Sequence, residues 1–222
     1  MNEIIRSFDS SISQNAHELL RGRRSIRSYR PDIPSPEILQ RIFASVALAP
    51  SAHNRQPWRY LLVQEAALKE RLANVMGERL AEDRRRDGDP EHDVQRDVSR
   101  SFQRINGAPV LIVVAMTLAD MDSYPDEIRL RAEYLMAVQS TAMATQNLLL
   151  AAHAEELGAC WLCAPLFCQR EVKLALSIRE DWHLQGLLTL GYPAASGKVK
   201  RRKPQTDFVF FAKAESGPEH YK

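Results

Sequence analysis

The stretch PVLIVVAMT, residues 109–117, constrains this chain most. It is apolar and rich in β-branched residues, which stiffen χ1 and suit a pleated strand. With no polar alternation it offers no face to water, so it reads as a central strand. WRYLLVQ (58–64), ACWLC (159–163) and LQGLLTLGY (184–192) read as further strands. NAHELLRGR reads as a short helix, followed by a helix that starts from Ser35 as N-cap and Pro36 as its first residue. Ile38, Ile42, Phe43, Val46 and Ala49 recur on its face, and Pro50 stops it. Helices are also expected over 66–86, 127–156 and 169–177. On the longest, Leu130, Tyr134, Val138, Thr141, Thr145, Leu149 and Ala152 trace one stripe.

The expectation is therefore a single α+β domain over 1–222, with about five strands flanked by helices. Segment 83–100 is so charged that it reads as an exposed helix or excursion. The tail, 198–222, carries the apolar DFVFF and should add to a sheet, its own or a partner's.

The strongest departure from average composition is local. RGRRSIRSYR places five arginines in ten positions, 21–30, although Lys+Arg 30 against Asp+Glu 28 leaves a net charge of only +2. A balanced chain has no global field for drawing in nucleic acid. Such runs are usually solvated faces or loose ion pairs, and DRRRD (83–87), with flanking acids, fits that. The 21–30 run differs: Ser25 sits inside it, and Pro31 follows. Arginine forks match phosphate bidentately, and a serine hydroxyl completes the shell. KVKRRK (198–203) offers a second basic jaw, and two jaws on a near-neutral chain point to one bound anion, most economically the phosphate of a small cofactor.

Between the jaws, APSAHNRQPWRY (49–60) reads as a loop stiffened by Pro50 and Pro57. It presents Ser51, His53, Asn54 and Gln56, donors and acceptors suited to the edge of a planar heterocycle; His53 reads as exposed more readily than as a base. Neither GxGxxG nor GxxxxGK[ST] occurs. Cys160, Cys163 and Cys168 supply three thiols where zinc wants four ligands, and their bulky apolar neighbours favour core filling; no metal is expected. An odd, crowded cysteine count argues against a disulfide framework and for a reducing cytoplasm. The first residues lack a basic stretch followed by an apolar core, so no export signal is expected. The apolar run 135–154 is broken by Gln139, Thr141, Thr145, Gln146 and Asn147, which suits a buried helix better than a membrane span.

RRSIR, PSAHNRQPW, LGACW, GYP and KRRKP, in this order over about 23–204, together resemble the FMN-dependent nitroreductase superfamily. SYPD (123–126), AE (132–133) and the run from LGACWL to GYP are similar to the C-terminal flavin reductase domain of the deazaflavin γ-glutamyl ligase. The resemblance implies a central, mostly antiparallel sheet and an obligate homodimer, with the tail strand exchanged and FMN at the interface. It implies that Arg23, Arg24 and Ser25 hold the FMN phosphate and ribityl chain, and that Arg27 lies beside the flavin N1 and O2 edge. Pro50, Ser51, Ala52 and Asn54 match a loop that reaches FMN from the neighbouring subunit, and Lys200 and Arg202 match phosphate contacts of the tail. One departure stands out: Cys163 replaces the glycine of the family's W-x-G, and Pro165 has no N–H to offer. Contact near the flavin N5 then falls to the amides of Cys163 and Ala164.

The implied activity is hydride transfer from NAD(P)H through FMN to an electron-poor small molecule: a nitroaromatic, a quinone, an enamide-like double bond or a deazaflavin precursor. Two alternatives stand beside it: a basic nucleic-acid-binding protein using 21–30 and 198–203, and a flavin-cleaving or dehalogenating member of the same superfamily. Balanced charge and the lack of a recognised nucleic-acid motif weigh against the former.

Overall fold

The computed structural model describes residues 10–212, together with the backbone of 219 and 220. Its central strand, β2 (Val110–Thr117), is buried at all eight positions. It pairs antiparallel with β1 (Trp58–Val63) on one side and β4 (Trp182–Gly191) on the other, and β4 pairs antiparallel with β3 (Gly158–Leu162). The sheet order is β1-β2-β4-β3.

Alternation along β2 feeds two cores. Ile112 and Val114 join Leu188 in a cluster covered by α2 (Pro36–Val46) and α5 (Glu127–Ala154), through Ile42 and Leu148. Leu111 and Val113 join Leu187 in a second cluster, covered by α3 (Ala66–Arg86), α4 (Glu91–Asn106) and α6 (Gln169–Leu176) through Leu72, Ile105 and Val172. The expected cap of α2 is present: Ile38 donates its N–H to Ser35 Oγ at 3.4 Å. At the start of α5, Arg129 likewise donates its N–H to Asp126 Oδ1 at 2.9 Å.

Among the described residues the sheet has four strands, where about five were expected. Apolar β5 (Phe210–Phe211) instead pairs with β6 (Glu219–His220) in a separate two-stranded ribbon. The start of the edge beyond β3 is taken at Ala159 by Ser25 and Ile26, and residues 28–30 run on beside Tyr192–Ala194, past the end of β4. Ile26 donates its N–H to the Ala159 carbonyl at 3.1 Å, and Arg30 to that of Tyr192 at 2.9 Å. Gly158 makes this approach possible: a Cβ there would sit 2.6 to 2.8 Å from three side-chain atoms of Ile26.

α5 also differs from its expected stripe. Thr141, Thr145 and Ala152 are buried as expected, but the buried set adds Glu133, Ala137, Ser140, Ala144 and Leu148, whereas Leu130 is 43% exposed. Small residues let α5 lie close on the sheet, and Glu133 is tolerated because its carboxylate accepts the Asp122 N–H at 3.3 Å. Residues 83–100 comprise the end of α3, a turn through Gly88 at φ 82°, and the first part of α4. Val94 is fully buried under this hairpin.

Candidate functional site

Helix α1 (Ser10–Gly22) ends in the arginine-rich segment, and Tyr29 fastens that segment to the sheet. The Tyr29 hydroxyl lies 2.6 Å from the Ile26 carbonyl, 3.1 Å from the Thr189 carbonyl and 2.7 Å from Thr189 Oγ1. Burial pushes its pKa far above the usual phenol range. Thr189 is itself fully buried, so the anchor is a closed polar contact inside an apolar core.

With the segment held on the β3 edge, its arginines border a cleft of about 1090 Å³. Of the expected residues, Arg23, Arg24, Ser25, Arg27, Lys200 and Arg202 all line it, so the two basic jaws meet. Arg21, Arg100, Arg104 and Lys198 join them, giving seven arginines and two lysines and no carboxylate among the lining residues. Arg24 is partly committed elsewhere: its Nη1 donates to the carbonyls of Arg21 and Arg23, the latter at 2.9 Å, closing the C-terminus of α1. Arg27 donates to the Ser25 carbonyl at 3.4 Å. Burial pushes the Cys160 thiol up, an effect opposed by the nearby charges of Arg27 and Arg104.

A second hollow of about 640 Å³ shares Arg23 and Arg24 and opens toward the last turn of α5. There His153 approaches Gly22 so closely that a Cβ on the glycine would sit 2.6 Å from Nε2. Burial, aided by the charges of Arg23 and Arg24, lowers the His153 pKa.

The other expected residues lie elsewhere. Pro50, Ser51, Ala52 and Asn54 form a loop tied to the middle of α5, with the Ala52 N–H donating to Ser140 Oγ at 3.2 Å. His53, Asn54 and Gln56 adopt left-handed φ of 50°, 54° and 49°, held in part by a 3.1 Å bond from the Gln56 N–H to Ser51 Oγ. Three such residues in four mark strain that the surroundings must hold. From Ser140 to His153 is thirteen residues of helix, about 20 Å at the α-helical rise. In one subunit this loop and the arginine segment therefore flank opposite parts of α5. Cys163 and Ala164 follow the far end of β3, whose last residue, Leu162, is three residues beyond Ala159, about 10 Å at the strand rise. Both are exposed, and Trp161 Nε1 donates to Cys163 Sγ at 3.0 Å.

Arg100 and Arg104 escaped sequence reasoning, although RDVSRSFQR carries Arg96, Arg100 and Arg104 at helical i,i+4 spacing. The visible signal was the charged run of 83–100. What the run faced depended on how α4 packs.

The arrangement fits a small phosphorylated molecule: cationic forks and a serine hydroxyl around one cleft, with no acid to repel an anion. The profile of the Nitroreductase family matches residues 20–192. A curated relative, 5,6-dimethylbenzimidazole synthase of Rhodobacter capsulatus, is 31% identical over 189 residues, 84% of this chain and 87% of the relative. Among solved structures, a BluB-like flavoprotein from Clostridium difficile 630 aligns over 89% of this chain and 99% of its own, with TM-score 0.73 and 23% identity. The FMN-dependent nitroreductase NfnB from Mycobacterium smegmatis, solved in complex with NADPH, aligns over 91% and 100%, with TM-score 0.69 and 22% identity. Those two likenesses establish the fold, while the family profile and the R. capsulatus relative carry the assignment. On these matches the chain belongs to the nitroreductase family.

Proposed function

We propose that this chain is an FMN-dependent NAD(P)H oxidoreductase that reduces an electron-poor small molecule. The observation that carries the reading is the cleft in which Arg23, Ser25 and Arg27 face Lys200 and Arg202 with no carboxylate between them. The chemistry supplied by FMN when bound is hydride transfer from NAD(P)H to the acceptor.

The chain's own residues bind and orient. Arg23, Ser25, Lys200 and Arg202 are assigned to the cofactor phosphate, with Arg24 shared between that role and the α1 terminus. Arg27 is assigned to the N1 and O2 edge, as a fixed cation where negative charge develops. Tyr29 and Ile26 keep these groups from drifting, since both are pinned to the sheet. Cys163 and Ala164 are assigned to the ring end, beyond the phosphate end along β3. No side chain need act as nucleophile.

The loop with Pro50, Ser51, Ala52 and Asn54 is assigned to the flavin of a partner subunit. Its separation from the arginine segment along α5 supports this. So do apolar side chains left open on α5, with Leu135 at 47% and Met143 at 41% exposure. A homodimer would cover them through an isologous contact. The tail strand is assigned to the same exchange, and the cytoplasm to the protein's location.

The SYPD and LGACWL–GYP motifs keep a deazaflavin precursor among the acceptors, beside nitroaromatics and quinones. A second reading rests on the superfamily resemblance, some of whose members cleave the flavin itself, and the R. capsulatus relative, named a synthase rather than a nitroreductase, keeps it open. Anaerobic mixing of FMN-loaded protein with NADPH or NADH tests the first. The expected result is loss of the flavin's visible absorption, restored by an acceptor with the flavin intact by mass spectrometry. Failure of both donors to bleach the flavin overturns the oxidoreductase reading, and conversion of flavin in air selects the second.

A further inference from the structure

From Arg79 to Arg104, the arginines of the α3–α4 hairpin fall into two groups. Those turned away from the cleft are matched with acids: Arg79 with Asp83 at 2.8 Å, Arg84 with Asp89 at 2.6 Å, Arg85 with Glu91 at 2.6 Å and Arg96 with Asp93 at 2.5 Å. Those turned into it are not. Arg100 has only a 3.6 Å approach to Asp97, and Arg104 has no acidic partner among the described residues. Across the cleft, α1 presents His17 and Arg21. Each pair is spaced i,i+4, which sets the side chains on one helical face about 5–6 Å apart at Cβ. None of the four is among the residues assigned to FMN.

Charge balance makes the surplus specific. A phosphomonoester brings a charge of about −1.5 to −2, against nine permanent cations around the cleft. One flavin phosphate leaves most of them without a counter-charge. The remaining cations can answer a second anion, and a reactant can bring one. Of the reactants in the proposed oxidoreductase reaction, on which this inference rests, the nicotinamide donor exists in two forms that differ by one phosphate.

We infer that Arg100 and Arg104 of α4, with His17 and Arg21 of α1, form a second phosphate subsite that takes the 2′-phosphate of NADPH and makes it the preferred donor. Arg100 and Arg104 are specificity-determining here: guanidinium forks answer a phosphomonoester, and NADH leaves them unpaired. The cleft has the room, since about 1090 Å³ lies just above the usual span of small-molecule sites.

The test is equilibrium binding of 2′,5′-ADP and 5′-ADP to the protein, beside an FMN titration. The parent should bind 2′,5′-ADP at least about tenfold tighter, the scale of one charge-assisted contact. Arg100→Gln with Arg104→Gln should erase that difference, move FMN affinity by less than about threefold, and lower the NADPH-to-NADH ratio of kcat/KM about tenfold. Arg100→Lys with Arg104→Lys, which keeps the charge, should retain part of the preference. Equal binding of the two nucleotides by the parent overturns the inference. Loss of FMN from the glutamine variant also overturns it, because the pair would then belong to the flavin phosphate. A parent that selects 2′,5′-ADP yet fails to hold FMN overturns the flavin reading and leaves the subsite standing.

Discussion

Removing the Tyr29 hydroxyl should cost far more than deleting one oxygen suggests. Tyr29→Phe keeps the ring and its packing, but strips the Ile26 carbonyl of a donor at 2.6 Å and Thr189 Oγ1 of its partner at 2.7 Å. Thr189 is fully buried, so water cannot replace the loss. A typical hydrogen bond contributes about 0.5–1.5 kcal/mol, and a buried group left unsatisfied costs about 1–3 kcal/mol. Discounting for the hydroxyl that no longer has to be desolvated, the net is about 2 kcal/mol. In a domain of this size that lowers the melting midpoint by about 4–8 °C. Urea unfolding followed by circular dichroism should show the midpoint fall with an unchanged slope. Thr189→Val removes the Tyr29–Thr189 Oγ1 contact from the other side, so the double variant should be little worse than Tyr29→Phe alone. A loss below about 0.5 kcal/mol, or strictly additive losses, would refute the view that this contact anchors the arginine segment.

Arg27→Gln keeps a planar donor but removes the charge; the flavin should stay bound with a lower midpoint potential, and an unchanged potential at full occupancy would mean that Arg27 does not face the N1 edge. Gly158→Ala drives a methyl to within 2.6 Å of Ile26; calorimetry should register overpacking of about 1–3 kcal/mol, and a neutral outcome would deny the tight seat of the segment on β3. His153 has a folded pKa below its unfolded value, owing to burial and then to Arg23 and Arg24. The unfolded chain therefore takes the proton first, so stability falls as pH drops below about 6.5, and above it this loss is absent. His153→Gln should flatten that part of the profile between about pH 7.5 and 5.5, and parallel profiles would contradict the assignment.

Much of the frame was legible because local signals agreed. Unbroken apolarity over 109–117 marked the buried central strand, and Ser35 with Pro36 marked the start of α2. Meeting of the jaws was legible too, from charge alone. The four-stranded count was not: DFVFF reads as a strand, but only the fold reveals that its Phe210–Phe211 pairs with Glu219–His220 in a separate ribbon. The exact face of α5 was also hidden, because small residues carry little periodic signal and a buried Glu133 breaks the pattern. Arg100 and Arg104 share a run with acid-paired arginines, and only packing separates the two groups. Left-handed φ at His53 and Asn54 had no glycine to announce it.

The central claim is that the basic cleft holds the phosphate of FMN, and an equilibrium titration of FMN into the parent and Arg23→Ala tests it most directly. Arg23 lines the cleft, and its own side chain is not taken up by the α1 carbonyls that engage Arg24. Its loss removes a charge-assisted fork worth about 1.5–3 kcal/mol, or roughly ten- to 150-fold in affinity. The account predicts that weakening for FMN and almost none for riboflavin, which lacks the phosphate. Equal FMN affinity in the parent and the variant would contradict it.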